Sequence, residues 1–158
     1  MARAQPIATL DCGDAFAPAA AKVVSTRAAE VFELRSGVLD VEDVERLHDM
    51  RVATRRLRAV LEIFAPCFPR RAHRVVLRDV KRLADALGAR RDPDVQISSL
   101  ATHLAAAPPS DRSGVEALIA RLRQEQSAAN AALSQALAEA DRSDLSGRLH
   151  ALVQEAGR

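Results

Sequence analysis

Two rows of basic side chains are the candidate binding surface in this sequence. With about 100° of rotation per helical residue, one arc of about 80° holds His48, Arg51, Arg55, Arg58 and Glu62. The same construction gives a second row, made of Arg71, Arg74, Arg78, Lys81 and Arg82. The planar guanidinium group of arginine forms two parallel charge-assisted hydrogen bonds with a phosphate group. The rows therefore predict a site for a phosphate-bearing anion.

The spacing within the rows supports this interpretation over an ordinary solvated helix face. Solvated faces normally place Glu four residues from Lys or Arg, because like charges at that spacing cost a few tenths of a kcal/mol per pair. Here Arg51 is followed by Arg55, and Arg74 by Arg78. A bound anion would offset this repulsion.

The overall charge of +2 is the sum of two opposite contributions. Residues 46–91 carry thirteen Arg and Lys against four Asp and Glu, a net charge of +9, while the rest of the chain carries −7. Arginine outnumbers lysine 21 to 2, which a GC-rich genome would explain, so the placement of the arginines matters more than their number. Near-neutrality is therefore no evidence against a polyanion partner.

Composition disfavours several other functions. Aromatic residues make up 3% of the chain, with no Trp or Tyr to stack on bases. Cys12 and Cys67 form neither a disulfide framework nor a zinc motif, and no signal peptide or membrane span is evident. The basic faces offer only Glu62 and Asp85 as carboxylates, so we expect no catalysis, no cofactor and no metal. The expected location is the cytoplasm, with association with polyanion granules as a further expectation.

Apolar residues recur at spacings of three and four, which predicts an all-α protein: an antiparallel bundle of about five to six helices in one domain, 1–158. Residues 1–13 are expected to be a flexible N-terminus. The first three helices are predicted at 17–35, 40–65 and 70–87, the last closed by Gly88. Asp92 as N-cap and Pro93 in the first turn predict a short fourth helix that ends before Pro108. The fifth and sixth are predicted at 113–141 and 145–156, after a loop, APPSDRSG.

The basic segment resembles a known family in two places. Residues 47–69, LHDMRVATRRLRAVLEIFAPCFP, fit the pattern HxxRVxxRRLRxxLxxF, and residues 78–95, RDVKRLADALGARRDPDV, end in the pattern LGxxRDxDV. Both patterns are typical of the CHAD family, the conserved-histidine α-helical domain. The resemblance implies a helical bundle that binds inorganic polyphosphate through basic residues lining a channel, without catalysis.

The resemblance also implies particular binding residues. Its matched positions are His48, Arg51, Arg55, Arg56, Arg58, Lys81, Arg82 and Arg91. Arg74 and Arg78 join them from the helical positions of the second row alone. Asp92 is expected to cap the fourth helix and orient Arg91. His73 falls on the apolar side of its helix, and His103 and His150 lie outside the basic segment, so core or surface roles are expected for these three.

One departure from the family leaves the architecture of the site open. Family members resemble two similar halves that enclose the channel, whereas residues 96–158 contain no second HxxR motif or basic helix. Either one copy presents an open basic groove, or two copies pair so that the second supplies the missing wall. Alternative functions are nonspecific nucleic-acid binding and a polyanion-dependent protein-interaction module, with a phosphohydrolase or phosphotransferase as a third class.

Overall fold

Five α-helices and one short 3-10 turn make up the protein, as seen in a computed structural model that describes residues 3–7 and 10–157. The helices are α1 (Phe16–Glu33), α2 (Val44–Ile63), α3 (Arg70–Ala106), α4 (Pro109–Arg142) and α5 (Leu145–Gln154), and the 3-10 turn is Ala65–Cys67. No strand occurs among the described residues. The all-α prediction is therefore confirmed.

The core lies where α1, α2, α3 and α5 meet, closed by the C-terminal half of α4. Apolar residues at helical spacing fill it from each element, including Val24, Leu57, Val80, Leu133 and Leu149, all at most 1% exposed. The turn between α2 and α3 is short, so the two helices run antiparallel and share this core. Their polar sides are left facing solvent.

The prediction of separate third and fourth helices was wrong, because α3 continues from Arg70 to Ala106. Gly88 does not have the positive φ of a helix-ending glycine, and Pro93 is buried within the helix. A buried ion pair between Arg90 and Asp94 spans the turn that contains Pro93. This pair holds the helix together where the proline removes a backbone donor. Asp92 is consequently an exposed residue inside α3 and caps nothing.

Other helix ends differ from the predictions by a few residues. Helix α2 begins after Asp43, whose carboxylate accepts a hydrogen bond from the Arg46 N–H at 2.9 Å, and not at Asp40. Helix α4 begins at Pro109, because a proline fits the first turn of a helix. The predicted loop at APPSDRSG therefore shrinks to the short connection between α3 and α4.

The distal part of the α3–α4 hairpin projects beyond the rest of the bundle, and we call residues 95–125 the arm. Leu87 is the last residue of α3 in the main core, and Leu133 is the first residue of α4 in it. With 37 residues, α3 is ~55 Å long, whereas α2 with 20 residues spans ~30 Å. Within the arm only Ala107, Ile119 and Leu122 are buried. The arm is thus a two-helix layer with a thin core of its own.

The N-terminal segment lies against α1. The Gln5 backbone N–H donates to Glu30, and its carbonyl accepts from Arg27 Nη2 at 3.0 Å. Of the predicted flexible segment 1–13, residues 1, 2, 8 and 9 lie outside the described residues. No described helix is long and apolar enough to cross a membrane.

Candidate anion-binding site

The first row lies on the solvent side of α2. Leu47, Met50, Leu57 and Leu61 are buried on the opposite side of the helix, at no more than 1% exposure. Arg55 is exposed, and His48 and Arg51 are half-buried. The amphipathic pattern of α2 therefore forces these cations outward, as its helical spacing predicts.

The second row occupies the outer side of α3. Val76, Val80, Leu83 and Leu87 face the core, whereas four cations are exposed: Arg71, Arg74, Arg78 and Arg82. Lys81 is half-buried, at the edge of the row.

Glu62 joins the two rows. Its Oε1 accepts from Lys81 Nζ of α3 at 2.9 Å and from Arg58 Nε of α2 at 3.2 Å. The hydrogen bond from Lys81, aided by that from Arg58, holds the pKa of Glu62 below its usual range. The carboxylate is therefore ionised at neutral pH and fastens the edges of the two rows together.

A second carboxylate, Asp79, lies on the other side of the second row. Its Oδ1 accepts from Arg78 Nε at 3.2 Å and lies 3.8 Å from Arg82 Nη1, while its Oδ2 is 2.9 Å from Arg148 Nη1 of α5. Burial raises the pKa of Asp79, but hydrogen bonds from Arg148 and Arg78 outweigh that effect and the pKa is lowered. Asp79 thus links the second row to α5.

Arg148 is a cation of this surface that the sequence interpretation missed. It lies in the short helix α5, and no other Lys or Arg occurs within five positions on either side of it. The tight turn before α5 places it, because Asp144 adopts a left-handed φ of 47° and accepts a hydrogen bond from the Gly147 N–H. A Cβ at Gly147 would clash with the Asp144 carboxylate, so a larger residue there would displace this cap.

Four arginines in the rows have no acidic partner. Among the residues that the structure describes, no hydrogen bond or ion pair is formed by Arg51, Arg55, Arg71 or Arg74. The other Arg and Lys side chains of the rows, Arg58, Arg78, Lys81 and Arg82, share Glu62 and Asp79. The surface therefore carries several guanidinium groups whose hydrogen-bonding capacity is unused within the chain.

Two predicted site residues lie away from the rows. Arg56 lines a cavity of about 310 Å³ beside α1, together with Arg46, Asp49 and Glu30. It follows Arg55 directly, so its side chain is rotated by about 100° from the row. Arg91 is only 19% exposed and its Nη1 lies 4.0 Å from Asp94 Oδ2, so Asp94 is its acidic neighbour and the predicted orienting role of Asp92 was wrong.

Arg90 and Asp94 form a buried network that the sequence interpretation did not single out. Both side chains are 0% exposed and are ion-paired. Arg90 Nε also donates to Asn130 at 3.1 Å, and Gln126 Nε2 of α4 donates to Asp94 at 2.6 Å. Asn130 in turn donates to the Leu39 carbonyl at 3.0 Å. The network fixes α4 against α3 and does not face the rows.

The other histidines have the roles expected of them. His73 is buried, with its Nε2 at 2.8 Å from the Leu61 carbonyl oxygen and its ring stacked on Phe68. His103 and His150 are exposed. Within residues 3–7 and 10–157, no group of three or more His, Cys, Asp or Glu side chains is placed to hold a metal ion.

Comparison with known proteins gives one match. The family model of the CHAD domain matches residues 22–158. This stretch begins within α1 and contains every later helix. No curated protein and no solved structure matches the chain. The matched stretch holds both rows, Glu62, Asp79 and Arg148.

Proposed function

The chain belongs to the CHAD family, and from that premise we propose that it binds inorganic polyphosphate along the two rows. The observation that carries this proposal is the set of four arginines without an acidic partner, distributed over two helices that Glu62 joins. Each guanidinium offers two parallel donors to the oxygens of one phosphate. A chain of phosphates lying along the rows would supply the acceptors that the protein does not.

The binding residues proposed for this function are those of the rows. They are His48, Arg51, Arg55, Arg58, Arg74, Arg78, Lys81 and Arg82. Arg71 joins them because it is exposed and unpaired on the same face. Arg56 and Arg91 came from the family pattern, but their surroundings favour a supporting role, the first beside α1 and the second beside Asp94.

We propose that binding takes place without hydrolysis. Phosphoryl transfer usually needs carboxylates that hold a metal, or a nucleophile beside the cations. Glu62 and Asp79, the carboxylates nearest the rows, are already engaged by Lys and Arg side chains. Incubation with polyphosphate and Mg²⁺ should release no phosphate above a buffer control, and enzymatic release would contradict this part of the proposal.

The open geometry of the rows favours a polyanion shared between two copies. On α4, Arg121 and Arg142 pair with Glu125 and Glu139 of the same helix, and Arg112 and Arg123 lie eleven positions apart, so we expect no facing basic wall on α4. A second copy across the bound chain would provide one. Light scattering with and without polyphosphate tests this pairing: a dimer mass in either condition supports it, and a monomer mass in both rejects it.

Calorimetric titration with polyphosphates of defined length tests the central proposal. We expect saturable binding that weakens with salt, since each phosphate contact releases counterions. Single-stranded DNA, matched in phosphate concentration, should displace the polyphosphate poorly because the chain has no Trp or Tyr to stack on its bases. Equal or stronger displacement by DNA would instead favour nonspecific nucleic-acid binding. Association with polyphosphate granules in cells would follow from the proposed binding.

A further inference from the structure

A cavity beside Asp79 continues the basic surface beyond the second row. It has a volume of about 330 Å³ and is bounded by α3, α4 and α5. Three arginines line it, Arg78, Arg82 and Arg148, together with Asp79 and Ser143. This volume is at the small end of ligand sites, which range over about 300–1,000 Å³. With its arginine lining, the cavity suits one or two phosphate groups.

The charge of the cavity is positive although two carboxylates line it. Asp79 is ion-paired with Arg148 and Arg78, and its side chain is only 14% exposed. Glu139 is neutralised by Arg142, whose Nη2 lies 2.6 Å away. Three guanidinium groups against the single Asp79 carboxylate leave a net charge of +2. Asp79 therefore holds the arginines together without neutralising them.

Arg148 is fixed in place and retains an unused donor. Its Nη1 is 2.9 Å from Asp79, and its Nη2 donates to Ser143 Oγ at 2.8 Å. Its Nε is buried and has no hydrogen-bond partner among the described residues. Nη1 and Nη2 each carry two N–H groups, so each retains one donor for an anion oxygen in the cavity.

The basic surface ends at this cavity. The α4 wall is formed by Ala136, Glu139 and Ala140, and Arg142 at the end of α4 is paired with Glu139 of its own helix. Among the described residues, a polyphosphate that follows the second row from Arg71 toward Arg82 meets no further row of unpaired basic side chains. The cavity is thus at one end of the path.

We propose that this cavity binds the terminal phosphate of a linear polyphosphate, with Arg148, Arg78 and Arg82 as ligands and Ser143 positioning Arg148. This inference rests on the proposed function and adds to it a subsite for the end of the polyphosphate chain. A terminal phosphate has one more charged oxygen than an internal one, and its second ionisation, with a pKa of about 6, makes it the most negative unit of the chain at pH 7. Three convergent guanidinium groups match that unit.

The test compares two short anions with the same number of phosphates. Linear tripolyphosphate has ends, and cyclic trimetaphosphate has none. We expect the protein to bind the linear form at least tenfold more tightly, and Arg148→Gln to bring the two affinities within about threefold. Arg71→Gln removes one charge from the same helix face, away from the cavity, and should leave the ratio of the two affinities unchanged.

Folding and function are separated by two further measurements. Arg148→Lys keeps a cation for Asp79 but loses the two parallel donors of the guanidinium group. It should therefore preserve the melting temperature and still reduce the ratio of linear to cyclic affinity. An unchanged ratio in both Arg148 variants would overturn the terminal subsite, while long-chain binding that remains sensitive to Arg51 and Arg55 would leave the proposed function standing. Absence of long-chain binding by the unaltered protein would instead overturn the proposed function itself.

Discussion

Replacement of Arg51 and Arg55 by alanine is the sharpest test of the first row. Both side chains are free of acidic partners within the described part of the chain, so their removal breaks no ion pair there. A charge-assisted hydrogen bond contributes ~1.5–3 kcal/mol before screening, which solvent exposure reduces to about 1 kcal/mol per arginine. Loss of both should cost ~2 kcal/mol, or about 30-fold in Kd.

Salt dependence gives an independent measure of the same contacts. Four unpaired arginines, each neutralising one phosphate, predict a slope of log K against log salt of about −3, at ~0.7 per contact for a flexible strand. The double variant should have a slope of about −1.5. Calorimetry or fluorescence titration from 50 to 200 mM salt would measure both slopes.

A charge-matched control makes the result interpretable. Arg121 and Arg123 are exposed on α4, away from the rows, and their replacement by alanine removes the same two charges. We expect this control to alter Kd by less than about threefold, as expected for distant charges screened by salt. If the control weakened binding as much as the Arg51 and Arg55 variant, net charge would explain the affinity and the rows would not be the binding site.

Three further variants test the surroundings of the site. Glu62→Gln should tighten polyphosphate binding because it removes a negative charge between the rows. The charged Glu62 carboxylate, whose pKa is lowered, stabilises the fold at neutral pH, and this contribution disappears as pH falls through that pKa, so the variant should lose less stability in acid than the unaltered protein. An unchanged loss of stability at low pH, measured by denaturation, would contradict this. Asp94→Asn should lower the free energy of unfolding by ~3 kcal/mol, because Arg90 would remain buried without its counter-charge. A loss of less than about 1 kcal/mol in urea denaturation would show that the Arg90–Asp94 network contributes little to stability. Gly88→Ala should raise the free energy of unfolding by ~0.5–1 kcal/mol, because Gly88 is helical and a Cβ there meets no heavy atom within 4 Å; a destabilisation would indicate that α3 ends at Gly88 after all.

The rows were predictable from the sequence because each is a property of one amphipathic helix. The spacing of Leu47, Leu57 and Leu61 fixes which side of α2 is buried, and the arginines between them must then face solvent. The same helical spacing predicts that Arg56 points about 100° away from Arg55 and out of the row. The family pattern nevertheless groups the two residues together. Helical position is the better guide to this residue.

The features that the sequence did not indicate depend on contacts between distant segments. Gly88 and Pro93 are local stop signals, and they are overridden by the buried pair of Arg90 and Asp94 and by the packing of α4 along α3. Arg148 is an isolated arginine with no periodic pattern around it. Only the turn at Asp144 brings it beside Asp79, and no local signal encodes that distance.

The arm has a consequence for how the protein opens. Its few buried side chains, among them Ile119 and Leu122, are separate from the main core. Amide protons of residues 97–120 should therefore exchange with solvent through fraying of the hairpin alone, at a free energy well below that of global unfolding. Amide protons around Leu57 and Val80 should exchange only when the whole bundle unfolds. The scaffold under both rows thus stays closed while the arm samples open states.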